Sequence, residues 1–297
     1  MKKNDFLIHH FEKRKSLILK YLILFLLLTS LFWSFHSNKK NTDFIAKVHL
    51  DGVISDRFDV LEKLDEIYEN ENLKGLLLIT NSPGGTFVSS KEIFDSLKKI
   101  SEKVPTTTYI REVGTSGAYL ASLGTEKIFV NNGTITGSIG VILQSADLTS
   151  LLENLGIQPV IVKSGELKTV PNPLEKIDDE KLKYMNNIIN QMQNQFVNLV
   201  KERRNLNQSS MELISDGRIF TGEEAKKINL VDFIGNERDA INWIKNEGNL
   251  EENIEIIEFN NNENFLNFLN SSLLKKTFKT FNLNINSGIL AIWMPGL

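Results

Sequence analysis

The sequence predicts an α/β fold built on a largely parallel sheet. Three observations carry that expectation. Extended and helical segments alternate from residue 45 to residue 235. One extended segment, KGLLLIT (74–80), is apolar almost without a break, as in a strand buried on both faces of a parallel sheet. Glycine-rich turns, NSPGGT (81–86) and GTSG (114–117), follow extended runs and precede helical ones.

The elements follow in order. IAKVHLDGVI (45–54) alternates and is rich in β-branched residues, which predicts a strand. FDVLEKLDEIYEN (58–70) has helical spacing, and KGLLLIT is the second strand. KEIFDSLKKI (91–100) is helical, and TTTYI (106–110) is extended. GTSGAYLAS (114–122) then turns into a helix, and KIFV (127–130) is a short strand. NNGTITGSIGVIL (131–143) is a loop leading into a strand, and LTSLLENLG (148–156) is a helix closed by Gly156 as a C-cap. QPVIVKSG (158–165) predicts another strand. A long helix covers 178–205. SDGRIFTGEEAKKINLVDFIG (215–235) reads as a turn, a helix with an acidic first turn and a short strand. EENIEIIEF (251–259) fits an edge strand and NNNEN (260–264) a loop, while 265–284 reads as an amphipathic helix or as disorder. GILAIWMPGL (288–297) is an apolar tail, too short to span a bilayer. It fits packing on its own domain or docking on a neighbouring subunit or lipid surface. No fixed-period repeat is visible.

Length and charge narrow the classes. The 297 residues suffice for a sizeable core, and a net charge of −3 gives no sign of nucleic-acid binding. The charge is uneven: residues 1–20 carry six basic against two acidic side chains, leaving −7 on the rest. The absence of cysteine excludes disulfides, thiolate nucleophiles and cysteine-based metal sites. Residues 17–35, LILKYLILFLLLTSLFWSF, are apolar apart from Lys20, close to the ~20 residues that span a bilayer. The basic flank precedes the run and Trp33 lies near its far end, so the N-terminus is expected in the cytoplasm. A cleaved leader is the rival reading, but Phe35, His36 and Ser37 make a poor cleavage site. The organisation expected is a cytoplasmic basic segment (1–16), a transmembrane signal anchor (17–36), a tether (37–44), a catalytic domain (45–245) and a C-terminal extension (246–297).

The four histidines limit the chemistry. His9, His10 and His36 lie in or beside the anchor region, so only His49 is in the domain, within a predicted strand. A Ser-His-Asp triad would have to use it, although a strand histidine is more often structural. There is no HExxH, no GxxxxGK[ST], and no GxSxG, because residue 118 is Ala. Ser116 in GTSGAYLAS is thus either a helix N-cap or a nucleophile at a tight turn. A nucleophilic hydroxyl needs a proton acceptor, and a lysine serves once burial draws its pKa below about 10.4. VKSGELKTVPNP (162–173) offers Lys163 and Lys168 after a predicted strand. The glycines of NSPGG (81–85) let backbone approach a ligand closely, and their amides could form an oxyanion hole; an ordinary strand-to-helix turn would use them equally well.

Five stretches, LLLITNSPGGT, GTSGAYLAS, TITGSIGVI, VKSGELK and DGRIFTGEEAKKINLVD, occur in that order. Together they resemble the serine–lysine signal peptide peptidases of the SppA type, over about residues 45–245. The resemblance implies a Clp protease/crotonase-like spiral of strand–strand–helix units, preceded by one N-terminal transmembrane helix. It implies Ser116 as nucleophile and Lys168 as general base, with Ser138 orienting the lysine amine. It also implies an oxyanion hole lined by Gly85 and Gly117. Ala118 departs from the glycine common in the family, and its methyl is expected to narrow the pocket beside the nucleophile.

The expectation is a membrane-anchored serine endopeptidase on the extracytoplasmic (periplasmic) side, degrading signal-peptide remnants and other short apolar peptides. It needs no cofactor and no metal. Its expected partners are peptide substrates, membrane lipid through the anchor, and further copies of itself, with no nucleic acid. Two alternatives are a crotonase-like acyl-CoA enzyme and a catalytically silent membrane scaffold of the same fold.

Overall fold

The computed structural model describes residues 42–56 and 58–259, the backbone of 290–292, and residues 20, 25, 26 and 29. The chain divides into two units, Met1–Thr42 and Asp43–Leu297. In the first unit Lys20, Phe25, Leu26 and Thr29 are helical, and the Thr29 hydroxyl donates to the Leu26 carbonyl. The rest of the anchor expected over 17–36 lies outside the described residues, as do 260–289. Among the described residues no helix is long and apolar enough to cross a membrane.

The second unit is an α/β domain on a mixed sheet in the order β7-β6-β4-β2-β1-β9. Its centre is parallel: β1 (Phe44–Asp51), β2 (Leu73–Ser82) and β4 (Thr106–Thr115) lie side by side. β9 (Glu255–Phe259) adds to the free edge of β1, in parallel, as the expected edge strand. The boundary drawn at residue 245 falls inside the last described helix, so the extension begins within packed structure.

Strand alternation decides which core each residue joins. Ala46, Val48, Leu50, Leu76 and Leu78 face α1 (Phe58–Glu69) and α2 (Phe87–Ser101). Ile45, Leu77, Ile79 and Tyr109 face the opposite side, against Ala240 and Ile244 of α8 (Glu237–Glu247). Covering β2 on both faces explains its unbroken apolar run. In α2 the buried residues fall at Phe87, Ser90, Ile93, Phe94, Leu97 and Ile100, the stripe of a helix lying on a sheet.

β4 forks at its carboxyl end. Thr107 to Ile110 pair with β5 (Lys127–Val130), whereas Val113 to Thr115 pair with β6 (Ile135–Gly137). β6 then pairs antiparallel with β7 (Ile219–Thr221), a departure from parallel pairing. β8 (Phe233–Ile234) completes the β5 side. The short helix α3 (Gly117–Ser122) leaves the fork and is buried at every position.

The largest helix, α5 (Asp179–Arg203), follows the expected bounds closely. Asp178 caps it by accepting from the Lys181 amide, with Asp179 and Glu180 in its first turn and Lys201 and Arg203 in its last. Phe196 and Val200 hold it to the core. The remaining short helices are α4 (Thr149–Asn154), α6 (Gln208–Ile214) and α7 (Gly222–Lys227). α7 begins in a capping box made by Thr221 and Glu224.

One expected strand differs. QPVIVKSG (158–165) is not a strand: the segment has no pairing partner among the described residues, and Val160 and Val162 are 91% and 95% exposed. It belongs to an arm of residues 142–178 whose helix α4 buries none of its residues. Of the apolar tail, residues 290–292 are described: β10 (Leu290–Ile292) pairs antiparallel with β3 (Gly84–Thr86).

Anchoring of α5 by one aromatic ring gives a test. Phe196→Ala should lower the unfolding free energy by about 3–5 kcal/mol, the usual cost of emptying a buried aromatic site. The exposed Asn187→Ala on the same helix should stay within about 0.5 kcal/mol. Urea unfolding of both variants measures the difference.

Candidate active site

Ser116 sits where β4 ends and α3 begins. Its backbone is at φ 53°, ψ −120°, a conformation that residues with a side chain rarely adopt. The turn forces it. Extending β4 would carry the chain past β6, whereas α3 must fold back between two core clusters. Tyr119, Leu120 and Leu123 enter one cluster, and Ala118 and Ala121 enter the other. Ser116 occupies the N-cap position, yet its hydroxyl makes no capping bond. Its side chain is therefore not used on the helix amides.

The surrounding groups fix the turn. The Ser116 amide donates to the Gly137 carbonyl at 2.8 Å. The Ser116 hydroxyl donates to the Gly140 carbonyl at 3.5 Å, a long contact that barely qualifies as a bond. Thr136 Oγ1 donates to the Gly114 carbonyl and Thr115 Oγ1 to the Pro83 carbonyl, at 2.8 and 3.1 Å. These two bonds join the β4 end to β6 and to the NSPGG turn. Ser138, at φ 51°, donates its amide to the Arg218 carbonyl at 2.8 Å. Gln193 of α5 donates its amide group to the Ile139 carbonyl at 3.1 Å.

The glycine-rich turn brings backbone close. A Cβ at Gly85 would fall 1.7 Å from the Ile54 carbonyl oxygen, so only glycine fits. The Ile54 amide donates to the Gly84 carbonyl, and the Thr86 amide donates to the Ile54 carbonyl. Because alternate peptide groups of a strand face opposite edges, the Gly85 N–H and C=O point to the other edge, where β10 lies. Gly117, in the first turn of α3, has an amide without an intrahelical acceptor.

The other expected residues are placed as follows. Lys168 lies exposed in a turn of the 142–178 arm, and its amine makes no bond among the described residues. Lys163 is tied to Glu175 at 2.8 Å and to Glu166. The hydrogen bond that its amine donates to Glu175 raises its pKa from the usual lysine value, so Lys163 is kept charged and is a poor base. His49 lies in β1 with Nε2 2.9 Å from Glu258 and Nδ1 3.7 Å from Asp51. It makes no bond to Ser116. Ala118 is fully buried with Ile54, Ile93 and Ala121. Its methyl adds to the core, which corrects the expectation that it narrows a pocket. Among the described residues no group of acidic or histidine side chains could hold a metal.

The residues missed in the sequence are the tethers: Thr115, Thr136 and Gln193. The hydroxyls could have been suspected from threonines flanking the two glycine turns, since a buried hydroxyl needs a partner.

The chain is similar to several known proteins. The family model of peptidase family S49 matches residues 98–251. A protein of Enterococcus faecium named as a signal peptide peptidase SppA is 36% identical over 239 residues, covering 76% of this chain and 68% of its own. The chloroplastic serine protease SPPA of Arabidopsis thaliana is 25% identical, covering 64% of this chain but only 28% of its own. A solved ClpP1 mutant of Listeria monocytogenes is 21% identical with a TM-score of 0.45, covering 66% of this chain and 94% of its own. The chain belongs to peptidase family S49, and that membership supports a serine protease.

The strained turn makes a prediction separable from catalysis. A residue in such a conformation costs of order 1–3 kcal/mol, and glycine escapes that cost. Ser116→Gly should therefore be more stable than Ser116→Ala, by about 1 kcal/mol after the entropy of glycine is counted. Thermal unfolding of the two variants side by side reads this directly; equal stability would mean the turn is unstrained.

Proposed function

We propose that this chain is a membrane-anchored serine endopeptidase in which Ser116 attacks the peptide bond and Lys168 of a second copy is the general base. The observation that carries the proposal is how the two side chains are placed. Among the described residues the hydroxyl of the buried, strained Ser116 meets only a backbone carbonyl, while Lys168 is exposed on the 142–178 arm and makes no bond to that hydroxyl.

The arm supports assembly. Ile142, Leu148, Leu151, Leu155, Ile157, Val160 and Val162 are exposed along it. Such a run is normally covered by another protein surface. Its internal bonds already shape it: Leu148 donates its amide to Pro173, and Lys163 bridges to Glu175. An unpaired strand-like segment fits pairing with a neighbour. Covering it would also remove water from around Lys168.

The reaction then runs in two halves. The neutral Lys168 amine takes the Ser116 Oγ proton as Oγ bonds to the substrate carbonyl carbon. The amides of Gly85 and Gly117 receive the oxyanion. The lysine ammonium returns its proton to the leaving amine as the C–N bond breaks, giving an acyl-serine and a free amino terminus. Water, deprotonated by the same amine, cleaves the ester and restores Ser116. Ser138 is assigned to orient the amine.

The edge of β3 supports binding of extended peptides by strand addition, since β10 of this chain pairs there. The substrates proposed are short apolar peptides, signal-peptide remnants among them, met at the outer face of a membrane. The anchor is assigned to residues 17–36 and the fold to the Clp protease/crotonase-like spiral.

Co-expression tests the shared site. Ser116→Ala and Lys168→Ala should each lose at least about 1000-fold in peptide cleavage while staying folded. Mixed assemblies of the two variants should recover up to roughly a quarter of the wild-type rate, the share of sites pairing an intact serine with an intact lysine. Recovery of nothing from mixed, folded assemblies would place the base in the same chain or remove it.

A further inference from the structure

The core-facing stripe of α5 holds one amide that packing does not explain. Ile189, Phe196, Val197 and Val200 lie along the stripe against the core, and Gln193 stands among them at helical spacing. Its Nε2 donates to the Ile139 carbonyl at 3.1 Å. A carbonyl oxygen can only accept, so the amide nitrogen must face it and Oε1 must turn away. Oε1 is then buried without a partner among the described residues. A buried unpaired acceptor costs stability, and methionine would fill the same space without that cost.

The bond that Gln193 does make is at the centre of the site. Ile139 lies between Gly137 and Gly140, whose carbonyls accept from the amide and hydroxyl of Ser116. Gly137 and Ser138 both have positive φ, at 86° and 51°, so this loop has little intrinsic preference for its shape. On one side it is held by the bond from Ser138 to the Arg218 carbonyl. On the other side it is held by Gln193.

We propose that Gln193 is a positioning residue for the nucleophile. It acts through the Ile139 carbonyl and fixes the two flanking carbonyls that set the Ser116 turn and the direction of its hydroxyl. The inference rests on Ser116 being the nucleophile, but the clamp itself is a structural statement that can be read without turnover.

The test uses the full chain carrying Gln193→Met, with Gln193→Asn beside it as a shorter amide that cannot reach Ile139. Gln193→Met should stay near the wild-type melting temperature, relief of the unpaired Oε1 offsetting the lost bond, whereas Gln193→Asn should lower it because its buried amide has no partner. Deuterium exchange at the Ser116 and Ser138 amides should quicken. With an apolar peptide substrate, kcat should fall about 10- to 100-fold while KM stays within about twofold, the pattern of a misplaced reacting group. Unchanged exchange together with unchanged kcat would overturn the proposal. So would a loss of kcat that only follows a lowered melting temperature and a raised KM, since that is a purely structural role. Should the wild type itself cleave no peptide, the peptidase reading fails, and the exchange rates alone decide whether Gln193 holds the loop.

Discussion

The backbone of Ser116 is the constraint on which the rest of the structure turns. A serine at φ 53°, ψ −120° is unfavourable by itself, by of order 1–3 kcal/mol. The burial of α3 offsets that cost: Tyr119, Leu120, Ala121 and Leu123 lose essentially all contact with water. The Tyr119 hydroxyl donates to the Leu230 carbonyl at 2.8 Å, so even its polar end is satisfied. Burial pushes its pKa far above the usual tyrosine range, which keeps it a neutral donor. The helix is thus fixed, and the turn before it has no freedom to relax. The forked β4 supplies the other half of the restraint by placing Gly137 opposite the Ser116 amide.

That rigidity contrasts with the 142–178 arm. The site side of the molecule is packed on both faces of the sheet, whereas the arm presents apolar side chains to water and buries few of them. On the proposed reading, a chain of this design holds its nucleophile in place and carries the proton acceptor on the exposed arm, so that Ser116 is activated only when the arm is covered. Lys163, kept charged by its bond to Glu175, shapes the arm.

Local chemistry was legible in the sequence, and long-range pairing was not. The unbroken LLLI of β2, the Asp178 cap of α5 and the αL closure at Gly156 follow from residue type and spacing. The turn at Ser116 was legible through its small neighbours. The fork of β4 and the antiparallel β6–β7 pair were not, because register between distant segments depends on packing that spacing does not encode. VIVK in 160–163 reads as a strand because its side chains suit one; a strand also needs a partner, and none is found among the described residues. The methyl of Ala118 was misjudged for a related reason, since its direction follows from the path of α3 into the core.

The central claim is that Ser116 is an activated nucleophile. Treating the full chain with a fluorophosphonate probe, digesting it and locating the added mass tests this most directly, because an ordinary serine hydroxyl does not react. The account predicts one modified residue, Ser116, and no labelling of Lys168→Ala. An unlabelled wild-type chain, or label on another serine, would contradict it.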